Sequence, residues 1–148
     1  KEGEQTVTPE IVEKNIGVSK DYNPFEMRNA IVNRNVEKAN RIMKYFCSNP
    51  KSGGPYIILP QLFSYFQNLM ITHYCPQKNS QERVAEWLDL RSPWAAKDYM
   101  TGIKNYSAMK VMHILSKIRE IDAKSKGLDN PNTPPWELMR ELIFFILH

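Results

Sequence analysis

Apolar residues recur at intervals of three and four along most of this chain, the spacing of an amphipathic helix. The clearest case is the stretch 105–127, where Ser107 can cap the first turn and Gly127 can close the last. Its apolar stripe is wider than a single packing contact needs, so we expect this helix to lie between other helices. The stripe consists of Ala108, Met109, Val111, Met112, Ile114, Leu115, Ile118 and Ile121.

Further helices are predicted on both sides of this one. Asn23 before Pro24, and Asn35 after a tight turn, are cap residues that predict helices over 24–32 and 36–48. Pro60 lies within the next, aromatic-rich segment, where we expect either a helix start or a kink. The remaining segments are that aromatic-rich helix to about residue 74, a Ser80-capped helix over 81–88, one from 93 to about 105, and a final helix through 136–146.

No stretch alternates long enough to predict a β-strand, so the expected fold is an all-α bundle of about six or seven helices. A separate short helix is predicted at the start of the chain, opened by Thr8 and Pro9 and ended by Gly17. The polar stretch after Gly17 is typical of a linker. We therefore predict a domain boundary that separates residues 1–18 from residues 19–148.

Composition bounds the kind of protein. An apolar content of 42% is enough for a core, and the apolar run 56–74 is interrupted by polar residues that would be costly in a membrane. Cys47 and Cys75 lie inside helical patterns, which favours reduced thiols over a disulfide. We therefore expect a cytoplasmic protein without membrane contact.

Charge is unevenly distributed. Residues 97–126 carry seven basic and three acidic side chains, which accounts for a net +4 in this stretch. Such a basic stripe is compatible with nucleic acid nearby, and equally with a solvated helix face. The residues on it that are candidates for proximity to DNA are Lys97, Lys104, Lys110 and Lys117.

The sequence carries no pattern typical of an enzyme. The only glycine pair, Gly53 and Gly54, lacks the lysine and hydroxyl residue of a phosphate-binding loop. His73 and Cys75 do not face each other on a helix, and no second cluster completes a metal site. We predict no catalytic residue, no cofactor and no metal.

Residues 84–93 allow a second interpretation. Their order of a small residue, Leu-x-Leu and a serine-capped start is similar to a helix-turn-helix, with Lys97 and Lys104 on its second helix. However, Asp89 stands where that motif usually has glycine, and Ala95 and Asp98 stand where its second helix should be apolar. A packed helical hairpin is therefore the preferred interpretation, and a DNA-binding domain is the alternative.

Several phrases of the sequence, in this order, carry a resemblance to one family. They are TPEIVEKNIG at 8–17, DYNPFEMRNAIVNRNVEKANRIMKYF at 21–46, LPQLFSYFQNLM at 59–70, VAEWLDLRSPWAAKDYM at 84–100, NYSAMKVMHILSKIREIDAKSKG at 105–127 and LIFFILH at 142–148. Together they resemble the C-terminal part of the delta subunit of bacterial DNA polymerase III, the clamp-loader subunit that opens the sliding clamp. Their style is similar to the Bacteroides-type branch of that family.

This resemblance implies a domain plan. Residues 8–17 would finish the lid of an AAA+-like module, and residues from about 21 onward would form the collar domain, whose helices pack into a ring. Its partners would be the other clamp-loader subunits, of the gamma/tau and delta-prime type. The family's clamp-contacting element lies in an N-terminal domain that this sequence lacks, so we expect clamp binding only through that domain. The resemblance carries over no catalytic residue and no ATP site.

We therefore expect a non-catalytic interaction module that acts in DNA replication within the DNA-directed DNA polymerase holoenzyme. Aromatic residues beyond the needs of the core are candidates for the contact with neighbouring subunits. They are Trp94, Tyr99, Tyr106 and Trp136, and for each of them a place in the core stays open.

Overall fold

The computed structural model describes residues 21–49, 54–127 and 133–148. Within these ranges every regular element is helical, which confirms the predicted all-α fold. The short helix expected after Thr8 and the domain boundary near residue 18 lie outside the described residues.

Seven α-helices and one 3-10 helix make up the described part of the chain. Their boundaries follow the predicted starts closely, and the second helix matches its predicted range of 36–48. The helices are α1 (Pro24–Val32), α2 (Val36–Ser48), α3 (Gly54–His73), α4 (Gln81–Trp87), α5 (Lys97–Asn105), α6 (Ala108–Ser125) and α7 (Pro135–Leu147), with the 3-10 helix Pro93–Ala96 leading into α5.

Four predicted cap residues act as caps, whereas Ser92 forms no side-chain cap hydrogen bond. Asn23 accepts a hydrogen bond from the Glu26 backbone N–H at 2.9 Å, and the other three accept from the residue three positions later. Each cap satisfies an N–H that has no partner in the first turn of its helix. The other three are Asn35, Ser80 and Ser107.

Left-handed backbone occurs where helices end. Gly127 follows α6 with φ of +88°, which confirms its predicted role in closing that helix. Arg34 (φ 53°) lies in the turn between α1 and α2, and Asp89 (φ 57°) lies in the turn after α4. Asp89 therefore adopts the conformation that a glycine would supply in a helix-turn-helix, at some strain.

α3 is the central element of the bundle. It packs against α1, α5, α6 and α7, and its inner side chains are fully buried. α6 runs antiparallel to it, because the start of α3 lies beside the end of α6 and His73 lies beside Tyr106. The largest buried side chains are Met27, Ile31, Ile42, Ile58, Leu62, Tyr65, Phe66, Leu69, Tyr106, Ile114, Ile121 and Met139.

The structure excludes one of the two alternatives expected at Pro60, a helix start. α3 already begins at Gly54 and runs through Pro60, so the helix does not start at the proline. Pro60 itself is exposed, whereas Ile58, Leu59 and Leu62 around it are buried. Burial on both sides of the proline stabilises a helix that has lost one backbone hydrogen bond.

The segment from α4 to α5 forms a packed helical hairpin. α4 and the 3-10 helix enclose a small core made of Cys75, Val84, Ala85 and Ala96. The chain after Pro93 begins as a 3-10 turn rather than as the α-helix predicted there, and α5 starts only at Lys97. The hairpin interpretation thus accounts for this segment.

Residues 105–106, which we call the elbow, connect α5 to α6 and hold two other helix ends. The Tyr106 hydroxyl donates to Ile31 O at 2.6 Å, and Asn105 Nδ2 donates to Val32 O at 2.7 Å. His73 Nε2 donates to Tyr106 O at 2.8 Å. The ends of α1 and α3 are therefore tied to the same two residues.

Candidate subunit interface

The four aromatic candidates fall into different environments. Trp94, on the 3-10 helix, is 75% exposed, and Trp136 is half-buried in the first turn of α7. Tyr99 and Tyr106 are buried. Of the four, Trp94 presents the largest free surface to a partner.

Tyr99 and Tyr106 are held inside the bundle by specific contacts. Tyr99 stacks on Tyr65 with ring centroids 5.2 Å apart, and its hydroxyl accepts from Asn68 Nδ2 at 3.3 Å. Tyr106 meets Phe66 edge-on at 5.5 Å, and burial raises the pKa of its phenol. Both rings serve the core of this chain.

An arginine connects α1 to α5 beside these rings. Arg28 Nη1 donates to Asp98 Oδ2 at 2.6 Å, and its guanidinium lies 4.9 Å from the Tyr65 ring centroid. Tyr65 in turn donates to Asp98 O at 2.8 Å. Burial opposes the charge of Arg28, but the contacts with Asp98 and Tyr99 outweigh it and raise the pKa of Arg28. Sequence reasoning missed this ion pair, because its members are 70 residues apart.

Two of the four lysine candidates are occupied within the chain. Lys110 Nζ donates to Phe145 O at 2.7 Å, near the C-terminal end of α7, where a cation is favoured. Lys117 Nζ lies 2.6 Å from Glu141 and 3.3 Å from Glu120. The hydrogen bond from Lys117 to Glu141 raises the pKa of Lys117, while burial lowers that of Lys110.

The other two lysines, Lys97 and Lys104, are exposed on α5. The four candidates therefore lie on two helices: Lys110 and Lys117 hold α6 to α7, and Lys97 and Lys104 lie on α5. The basic residues predicted over 97–126 thus belong to two helices, and proximity to DNA stays a prediction.

The outer side of α3 carries an exposed row without a charged residue, which we call the α3 stripe. Its members follow at alternating intervals of three and four, and α3 as a whole contains no Asp, Glu, Lys or Arg. Ile57 and Ile71 are each 44% exposed, and Tyr74, just past the helix end, is 72% exposed. The stripe consists of Ile57, Pro60, Ser64, Gln67, Ile71 and Tyr74.

α6 extends this surface. The Arg119 guanidinium lies 6.0 Å from the Phe63 ring centroid, so this side of α6 borders α3. Met112 precedes Arg119 by two helical turns on the same side and is 49% exposed. Between the two helices lies a groove of about 260 Å³ lined by Leu59, Pro60, Phe63, Ile118, Arg119 and Asp122. We call the α3 stripe with Met112 and Arg119 the α3–α6 face.

Other exposed apolar side chains surround this face or lie apart from it. Trp87 is anchored next to the stripe by a 3.2 Å hydrogen bond from Nε1 to Ile71 O. Phe25 is exposed at the edge of a cleft that includes Pro60 and Gln61, and the Gln61 amide oxygen is buried without a hydrogen-bond partner. Phe144 stacks on His148 at the far end of α7.

The potential metal-ligating side chains are dispersed over the described residues. Within the described ranges, no three His, Cys, Asp or Glu side chains come together as a metal site would require. None of the helices described here is both long and apolar enough to cross a bilayer. Cys47 is half-buried and Cys75 is buried, and both are free thiols.

Sequence reasoning missed the α3–α6 face. Met109 and Met112 stood in the broad apolar stripe of α6, and both prove to be about half exposed or more. Ile57 and Ile71 lay in the apolar run 56–74, for which no exposed apolar side was predicted. The signal that could have found the face is the complete lack of charge on a helix as long as α3, since a solvated side normally carries charges.

Comparison with protein families gives one match. Residues 21–139 match the model of a family described as the DNA polymerase III delta subunit, C-terminal domain. Comparisons with curated proteins and with solved structures gave no match.

Proposed function

Because the chain belongs to the family formed by the C-terminal domain of the DNA polymerase III delta subunit, we propose that it acts in DNA replication as the collar domain of a clamp loader. In this role it assembles with the other loader subunits, of the gamma/tau and delta-prime type, and catalyses no reaction itself. The sliding clamp is reached through another domain of the delta subunit, and the site of action is the cytoplasm.

The observation that supports this proposal best is the α3 stripe. A row of exposed residues without any charge, with the half-exposed Met112 on the neighbouring helix, is the surface composition found at protein–protein contacts. The assembly role gives this surface a use that an isolated domain would not have. Trp94, exposed on another side, is a second candidate contact.

The distribution of lysines argues in the same direction. Binding to the DNA backbone depends on cations that can approach phosphates together. Lys110 and Lys117 are instead bonded to α7, which leaves the exposed Lys97 and Lys104 as candidates for a weak, secondary approach to DNA. We therefore place protein partners before DNA.

The test is to mix the full chain with purified loader subunits of the gamma/tau and delta-prime type and to follow co-elution by size-exclusion chromatography. The expected result is a stable complex at about physiological ionic strength, where exposed charge contacts are largely screened. A parallel titration with duplex DNA should show little retention. Retention of DNA that falls steeply with salt, together with no complex with the loader proteins, would contradict the proposal.

A further inference from the structure

We propose that the α3–α6 face is the docking surface for an amphipathic helix of a neighbouring loader subunit, which lays its apolar side along α3 and directs a carboxylate at Arg119. This inference rests on the proposed function and adds the surface and the chemistry of the partner. Three observations carry it: the spacing of the residues in the α3 stripe, the lack of charge on that stripe, and the unpaired guanidinium of Arg119.

The spacing of the α3 stripe fits a second helix. Its residues alternate at three and four, the period at which one helix meets another in a seam with knobs-into-holes packing. Large side chains lie at both ends of the stripe: Ile57 at the N-terminal end, and Ile71 and Tyr74 at the C-terminal end. Ser64 and Gln67 in the middle are polar and neutral, so the partner should place an apolar residue at each end and a hydrogen-bonding residue between them.

Because the α3 stripe carries no charge, its transfer out of water has only a small free-energy penalty. Burying an ionised side chain costs several kcal/mol unless it is paired, whereas a serine or glutamine needs only a hydrogen bond. The exposed side of α2 shows the ordinary alternative, with Glu37, Arg41 and Lys44 in the solvent. The α3 stripe is thus suited to burial against a partner, whereas the exposed side of α2 is suited to contact with solvent.

Arg119 indicates the charge of the partner. It is exposed beside Phe63 and forms no ion pair with any residue in the described ranges. The acids that border the face are already paired, Asp122 with Lys126 at 3.0 Å and Asp98 with Arg28 at 2.6 Å. In a two-fold dimer through this face, a second copy would therefore place another arginine opposite Arg119, and the carboxylates at the border of the face are already paired. The partner is a different chain, with an aspartate or glutamate opposite Arg119.

The test places a charge in the middle of the stripe. Gln67→Arg changes an exposed residue that makes no core contact, so the fold should be retained, and Asn40→Arg makes the same change on the exposed side of α2 as a matched control. Dissociation constants for the loader subunits are measured by biolayer interferometry with the full chain. We expect Gln67→Arg to weaken binding by about tenfold or more and Asn40→Arg to leave it within about twofold of wild type.

Arg119→Glu supplies an independent readout. It should weaken the complex at low salt, and the difference from wild type should shrink as ionic strength rises. Wild-type binding that survives both Gln67→Arg and Arg119→Glu would overturn the assignment of this face while leaving the proposed function in place. A homodimer of the free chain that Gln67→Arg dissociates would overturn the choice of partner. A wild-type chain that binds no loader subunit would overturn the proposed function, and this inference with it.

Discussion

Replacing Gly102 by alanine should destabilise this protein, although alanine is ordinarily the better helix former. Gly102 is buried in α5 where that helix crosses α3. A Cβ atom at this position would overlap the Tyr65 hydroxyl and lie 2.7 Å from Leu69 Cδ1. Tyr65 and Leu69 are themselves fully buried, so a shift of either side chain would disturb packed neighbours.

The expected change in the free energy of unfolding combines one contribution that favours alanine at position 102 and two that disfavour it. Helix propensity alone would favour alanine by about 1 kcal/mol. Overpacking a core usually costs about 1–3 kcal/mol. Displacing the Tyr65 hydroxyl would also weaken its 2.8 Å hydrogen bond to Asp98 O, a further loss of about 1 kcal/mol. We expect the free energy of unfolding to fall by about 1–3 kcal/mol.

The assay is urea unfolding followed by circular dichroism, for wild type, Gly102→Ala, Tyr65→Phe and the double variant. Tyr65→Phe removes the oxygen that the new methyl group would meet, so the double variant should lose less stability than the two single variants added together. The expected coupling is about 0.5 kcal/mol or more, as for residues in direct contact. A Gly102→Ala variant more stable than wild type, or costs that simply add, would refute the close approach of α5 to α3.

Three other measurements address buried tyrosines, an ion pair and the thiols. Burial raises the pKa of the Tyr65 and Tyr106 phenols above the value of about 10 that they have in the unfolded chain. The free energy of unfolding should therefore stay constant below about pH 10 and fall above it by up to about 1.4 kcal/mol per pH unit for each tyrosine. In urea titrations at alkaline pH, replacing both tyrosines by phenylalanine should reduce the fall in the free energy of unfolding with pH. An unchanged pH dependence would refute this reasoning. Glu141→Gln should cost less than about 1 kcal/mol in thermal unfolding, because its lysine contacts are partly exposed, and a cost that persists at about 1 M salt would contradict this. A thiol reagent should modify Cys47 in the native protein and Cys75 only after unfolding, whereas equal rates would speak against the burial of Cys75.

The positions of the helices could be predicted because their signals are local. Asn35 and Ser107 cap α2 and α6 through hydrogen bonds to residues three positions away, and Gly127 ends α6 through its own backbone angle. Such signals do not depend on how the helices later pack. The family resemblance is likewise independent of packing, since it was carried by sequence phrases and by their order along the chain.

The surface could not be predicted in the same way. Tyr106 was a candidate for contact with a partner, but its hydroxyl meets a carbonyl 75 residues away and the ring is buried. Lys110 and Lys117 were candidates for proximity to DNA, but their partners lie on α7. Periodicity shows that a helix has an apolar side, and only the neighbouring helices decide how much of that side is covered. Met112 on α6 is the clearest case, because it has the spacing of a core residue and lies half exposed.

The elbow at residues 105–106 has a consequence for the rate of association. Because the Tyr106 carbonyl, at the start of α6, accepts a hydrogen bond from His73 at the end of α3, the elbow holds the two helices of the docking surface in one orientation before any partner arrives. A partner that meets a preorganised surface loses less conformational entropy on binding than one that must first order it. Loosening this junction, for instance by His73→Ala, which removes the hydrogen bond between the end of α3 and the start of α6, should therefore slow complex formation.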